Sequence, residues 1–174
     1  MDLLGEILRA IWFVGPAYIA NGFTPIWGRG ERFNAPIDMN RYFSDGNRLL
    51  GDGKTIRGGL GGLVMGFLSG IIQNELKIFN MHFSLLLSFL LAFGAILGDS
   101  IGSFIKRRLN RTRGESVLGL DQLGFLVTAL VLANVFLPDQ VLSQYWIILI
   151  PTTLIIHRGM NIFAYFLHIK NVPY

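Results

Sequence analysis

The sequence predicts an all-α integral membrane protein with five transmembrane helices and two long cytoplasmic loops, and three observations lead there. First, of 174 residues 52% are apolar and only 15% charged, against about 25% charged in a typical soluble domain, and the mean hydropathy is +0.50. Second, apolar stretches recur at the length a bilayer demands, about 20 residues per helix. Third, the basic residues are gathered into two of the segments between those stretches. One integrated domain over residues 1–174 is expected.

The spans follow in order. Residues 10–28 are uncharged. The residues ahead of them carry Asp2 and Glu6 against Arg9 and no small-residue cleavage site, so this stretch is expected to stay as the first helix rather than leave as a signal peptide. The second span, 58–74, is short and uncharged, and repeats glycine at Gly58, Gly62, Gly66 and Gly70. Small residues every four positions let helices approach closely in lipid, here either within the monomer or across a homodimer. The third span, 78–98, has His82 as its one titratable group. The fourth is 122–138, and the fifth, 140–169, is interrupted by His157 and Arg158.

Orientation follows from the basic residues, which favour the cytoplasmic side. Loop 29–57 holds Arg29, Arg32, Arg41, Arg48, Lys54 and Arg57, and loop 99–121 holds Lys106, Arg107, Arg108, Arg111 and Arg113. With Arg158 and Lys170, that places thirteen of fifteen cations on one side, which predicts an outside N-terminus and a cytoplasmic C-terminus. The outer connections are a few residues long, so function is expected on the cytoplasmic face of a multi-pass cell-membrane protein. Nucleic acid is not an expected partner of cations that flank apolar spans. The absence of cysteine excludes disulfides and thiolate metal sites.

Two stretches carry chemistry. "GDGKT", 51–55, ends like a phosphate-binding P-loop, yet the glycine needed five residues before Gly53 is Arg48, and an apolar glycine-rich run follows. It is not a Walker motif, although its Lys54, Thr55 and Arg57 can still meet phosphate. In "GDSIGSFIKRRLNRTRGESVLGLDQLG", 98–124, a helix continued to about residue 110 puts Asp99, Ser103, Lys106 and Arg107 on one face. A carboxylate at the edge of an apolar span needs a partner or water, and Asp121 mirrors it at the start of the fourth span. Two carboxylates beside cations suit a magnesium nucleotide site, because magnesium takes one or two carboxylates plus phosphates and water. The alternative is that both aspartates pair with Lys106, Arg107 or Arg108 as structural salt bridges while the basic run contacts anionic lipid. His157, Arg158 and Asn161 form a polar stripe entering the fifth span, suited to a lipid headgroup or to an arginine that merely snorkels.

These residues carry a resemblance to the CDP-diglyceride synthase (phosphatidate cytidylyltransferase) family, and within it to the short archaeal branch of CDP-archaeol synthases. "GDSIGSFIKRR" matches the family's Asp-x3-Ser-x2-Lys-Arg core, Asp121 in "LDQLG" matches the first aspartate of an Asp-x2-Asp motif, and "GDGKT" matches the archaeal wording before the second helix. The closing "HRGMNIFAYFLHIKNVPY" is also similar, and the resemblance runs from about residue 21 to the C-terminus. It departs at Gly124, where the second aspartate of the motif would stand.

The resemblance implies cytidylyl transfer from CTP to 2,3-di-O-geranylgeranylglyceryl phosphate, with release of pyrophosphate. It implies Asp99 and Asp121 as ligands of one Mg2+, and Lys54, Thr55, Arg57, Ser103, Lys106 and Arg107 as phosphate contacts, with Asp99, Lys106, Arg107 and Asp121 as the catalytic set. Implied partners are CTP, an isoprenoid lipid phosphate and membrane lipids. The rival reading is a small transporter or scaffold with a basic lipid-binding face, which would need a polar path across every span.

Overall fold

Helices make up most of the described chain: α1 Leu3–Phe13, α2 Gly15–Trp27, α3 Ile56–Leu76, α4 Leu85–Arg108, α5 Leu120–Phe136 and α6 Ser143–Phe166. The computed structural model describes residues 2–28, 35–112, 115, 117 and 119–166, without the side chains of 160, 161 and 163–165. By length and composition α3 and α4 can each cross a membrane, and α1 with α2 can form a third crossing as one bent pair, while α5 is a shorter apolar helix.

The expected first span is therefore two helices meeting at 54°. Pro16, near the start of α2, has no N–H to give the Trp12 carbonyl four residues back. Gln73 on α3 supplies the missing donor, with Nε2 2.7 Å from that carbonyl. Gly15 leaves room for it, since a Cβ there would lie 2.5 Å from Gln73 Nε2.

The expected third span, 78–98, starts ahead of the helix that carries it. Lys77, Phe79 and Asn80 adopt left-handed backbone around a one-turn 3-10 segment, Ile78–Asn80. Only then does Ser84 cap α4, accepting from the Leu87 N–H at 3.0 Å. The helix runs to Arg108, close to the expected continuation to about residue 110, so residues 99–108 are its last turns. Apolar composition alone could not tell turn from helix over 78–84; the Ser84 cap does. Of the expected fifth span, 167–169 lie outside the described residues, and α6 begins at Ser143.

The glycine face of α3 is used inside the chain. Cβ atoms at Gly62 and Gly66 would strike the backbone carbonyls of Ala20 and Pro16 on α2, and one at Gly70 would strike Ser88 on α4. On the other side, Leu60, Val64, Leu68 and Ile72 are exposed, as expected of a lipid-facing stripe. Helices α4 and α5 close around Leu87, Leu91, Ala95, Phe125, Leu126, Ala129 and Leu130, all essentially fully buried. Gly98 permits the closest approach, because any side chain there would strike the Gly124 carbonyl and Thr128. That packing puts the ends of α4 and α5 bearing Asp99 and Asp121 side by side.

Candidate active site

Three segments far apart in sequence meet where α4 and α5 join. Lys54, just ahead of α3, forms an ion pair through Nζ with Asp99 Oδ2 on α4. Lys106 on α4 pairs with Asp121 Oδ1 in the first turn of α5 at 2.7 Å. Asp99 and Lys106 lie seven residues apart, about 10 Å along the helix axis, so the two pairs stand about two turns apart on one face. Ser103, buried between them, has a hydroxyl without a partner among the described residues. Asp121 also accepts from the Val117 N–H at 3.0 Å, and it sits at the positive end of its helix, where a carboxylate is favoured.

Loop 35–55 delivers Lys54. Its ends pair, with Ile37 N–H on the Lys54 carbonyl at 2.8 Å and Ile56 N–H on the Ala35 carbonyl at 3.0 Å. Its centre is tied by Asp38, whose side chain is 1% exposed. That carboxylate takes the Arg48 guanidinium through Nη2 at 2.6 Å and Nε at 3.2 Å, and the N–H groups of Gly51 at 2.9 Å and Leu50 at 3.0 Å. Burial pushes the Asp38 carboxyl up, but Arg48 and the backbone N–H groups outweigh it and hold the group well below the usual carboxylate range. The Arg48 guanidinium is held above its ordinary value, chiefly by its hydrogen bond to Asp38.

The end of α4 clasps the same loop. Arg108 reaches Asp45 at 3.0 Å and the Arg48 carbonyl at 2.7 Å, and lies over the rings of Phe43 and Phe104 with centroid distances of 4.7 and 4.9 Å. Arg107 lies against Gly51, with Nε 3.4 Å from the Leu50 carbonyl. Gly51 has φ +89, which a side chain would strain. Between the loop and the α4 terminus opens a polar cleft of about 450 Å³, lined in part by Arg48, Asp52, Arg107 and Arg111.

The expected residues thus divide. Lys54, Asp99, Lys106 and Asp121 come together, with Ser103 between them and Arg107 at the neighbouring cleft. The salt-bridge alternative is met in part: Asp121 pairs with Lys106 as it expected, whereas Asp99 pairs with Lys54 and not with Lys106, Arg107 or Arg108. Thr55 is buried as the N-cap of α3, accepting from the Gly58 N–H at 3.2 Å, which accounts for its type without a ligand. Arg57 is not brought to the ion pairs; it lines a separate groove with Trp27, Leu60 and Val64. His157 packs on Phe125, one turn along α5 from Asp121, with ring centroids 5.8 Å apart. Arg158 is exposed, and the Asn161 side chain lies outside the described residues. Sequence reasoning missed Asp38, Arg48 and Arg108 as the residues that shape the loop. An aspartate in a basic loop carries no spacing signal, though Phe104 four residues before Arg108 marks a cation-over-ring position.

Comparison with known proteins gives this geometry a context. A family model described as CarS-like CDP-archaeol synthase matches residues 2–174. The CDP-archaeol synthases of Thermococcus gammatolerans and Thermococcus kodakarensis are 45% and 46% identical to the chain, each covering 100% of both sequences. A solved structure described as an intramembrane enzyme for archaeal membrane lipid biosynthesis superimposes with a TM-score of 0.77 at 39% identity, covering 90% of this chain and 94% of that one. With its family model matched from end to end and its lysine and aspartate motifs gathered at one site, the chain belongs to the CDP-archaeol synthase family.

Proposed function

We infer that this chain is a membrane-embedded nucleotidyltransferase that moves a cytidylyl group from CTP to 2,3-di-O-geranylgeranylglyceryl phosphate, yielding CDP-archaeol in its unsaturated form and pyrophosphate. The observation that carries the reading is the meeting of Lys54, Asp99, Lys106 and Asp121 in a chain of this family. The rival transporter needs polar groups across the whole thickness, whereas the ion-paired and basic residues here gather around one end of α3, α4 and α5.

The chemistry needs no side-chain nucleophile. A lipid phosphate monoester is largely ionised near neutral pH, with a second pKa of about 6. One of its oxygens attacks the α-phosphorus of CTP, the bond from that phosphorus to the bridging oxygen breaks, and its electrons leave with pyrophosphate. Lys54, Lys106 and Arg107 neutralise the triphosphate and the departing charge, and Ser103 donates a hydrogen bond to a phosphate oxygen. Holding both reactants in line supplies much of the acceleration. The two lysines rest on carboxylates until phosphate draws them away, so no buried charge stands uncompensated.

Magnesium fits this donor set in one way. The Asp99 and Asp121 side chains are 33% and 30% exposed, and no cluster of three histidine or acidic residues exists among the described residues. Two carboxylates completed by phosphate oxygens and water suit Mg2+, and an all-protein cage does not. When bound, the ion would supply charge neutralisation at the reacting phosphates. Asp99 and Asp121 would hold it, and Gly124 leaves no third carboxylate for a second ion.

The membrane arrangement proposed with this reading has five crossings, an outside N-terminus and the site on the cytoplasmic face. The deciding experiment is pyrophosphate release by detergent-purified protein given CTP, Mg2+ and either digeranylgeranylglyceryl phosphate or phosphatidic acid. Turnover that needs both Mg2+ and lipid phosphate, and falls at least about 100-fold in Asp99→Asn and in Asp121→Asn, is the expected result. No turnover with either lipid by folded protein would defeat the reading.

A further inference from the structure

Arg57 stands two residues beyond the Thr55 cap, on the side of α3 that faces away from the glycine seam. With Trp27, Ile56, Leu60, Gly61 and Val64 it lines a groove of about 420 Å³ between α2 and α3. The groove is apolar except at its arginine. Trp27 is 43% exposed, Leu60 59% and Val64 53%, so its walls open toward the surface that lipid would cover. Gly61 shapes the floor: a Cβ there would lie 2.5 Å from Trp27 Cγ, so only glycine lets the indole lie down on the helix. Among the described residues Arg57 has no hydrogen-bond or ion-pair partner.

A cation at the mouth of a hydrocarbon slot is complementary to an amphiphile with an anionic head and an apolar chain, and not to a nucleoside triphosphate. Its position selects among such amphiphiles. Arg57 and Lys54 are three residues apart, so their Cα atoms are separated by at most about 11 Å, and Lys54 is in the ion-paired site. The groove thus adjoins the segment that carries Lys54, although Arg57 itself does not touch the ion pairs.

We propose that the α2/α3 groove is the acceptor site, in which Arg57 holds the lipid's phosphate monoester and Trp27, Leu60 and Val64 receive the first part of one tail. Arg57 thereby leaves the set that meets the triphosphate. The proposal rests on the transferase reading, and its test separates the two. Trp27 is one of three tryptophans, so a lipid phosphate brominated near its headgroup reports groove occupancy by quenching, without turnover. Saturable quenching is expected in the wild type, absent in Trp27→Phe, with apparent affinity at least about tenfold weaker in Arg57→Gln and largely restored in Arg57→Lys. In the rate assay, Arg57→Gln and the groove-filling Val64→Trp should raise KM for the lipid phosphate about tenfold and leave KM for CTP unchanged.

Three outcomes overturn the groove. A raised KM for CTP in Arg57→Gln would return the residue to the triphosphate. Quenching unaffected by Arg57→Gln would mean that the arginine only snorkels. Equal competition from phosphatidylglycerol, a phosphodiester, would make this a general anionic-lipid contact rather than the acceptor site. Loss of turnover in the wild type, with Arg57-dependent quenching retained, would instead defeat the transferase reading and leave the groove standing.

Discussion

Asp38 orders the loop through one carboxylate, which accepts from the Arg48 guanidinium and from the backbone N–H groups of Asn40, Leu50 and Gly51, the last two on the segment leading to Lys54. Removing one partner of a buried ion pair costs about 3 kcal/mol or more. Asp38→Asn should accordingly cut kcat/KM for CTP through misplacement of Lys54, and should expose loop 35–55 to limited proteolysis while the helices stay folded. Retention of wild-type activity would remove Asp38 from this role. The pH dependence has a definite sign. The folded carboxyl lies below its unfolded value of about 3.9, so its stabilisation is complete above that pH and is lost as the pH falls below it toward the folded value. Protection of the Gly51 amide from hydrogen exchange should persist down to about pH 4 and fade below. The sequence pattern brought out Asp99, Ser103 and Lys106 because helical periodicity is local. It could not show that Lys54 meets Asp99 across 45 residues, since that depends on how the intervening loop folds.

At the scale of elements, the glycines of α3 divide by face. Gly62 sits against the Ala20 carbonyl, where a Cβ would lie at 2.6 Å, whereas a Cβ at Gly59 would make ordinary contacts with Ile37 and Ile96 at 3.7 and 3.8 Å. Gly62→Ala should therefore lower stability in detergent by about 1–3 kcal/mol, the usual cost of overpacking. Gly59→Ala should be neutral or raise it by up to about 1 kcal/mol through helix propensity. Thermal unfolding followed by tryptophan fluorescence separates the two, and equal losses would contradict the α2/α3 packing. The four-residue glycine repeat was readable in the sequence; its partner was not. Small residues announce a close contact, and the contact here is with α2 and α4 of the same chain.

For the whole molecule, the segregation of cations leads to one prediction about topology, and the absence of cysteine makes it easy to read. Asp139→Cys, on the short α5/α6 connection, should react with an impermeant maleimide in intact cells, and Ser44→Cys in loop 35–55 should react only after permeabilisation. The reverse pattern would invert the molecule and move the site to the outer face. The sequence by itself determined that the chain is a helical membrane protein, that its basic residues gather in two segments between apolar stretches, and which family's motifs it carries. All of these rest on apolar run length, charge counts and spacing along a single helix, quantities that are local in the chain. Only the tertiary structure decided that the first span breaks at Pro16 with Gln73 completing its hydrogen bonding, that Lys54 rests on Asp99 and Lys106 on Asp121, and that Arg57 lines a groove apart from those ion pairs. Each of those depends on which surfaces meet once α2, α3, α4 and α5 pack, and on a loop ordered by the buried carboxylate of Asp38.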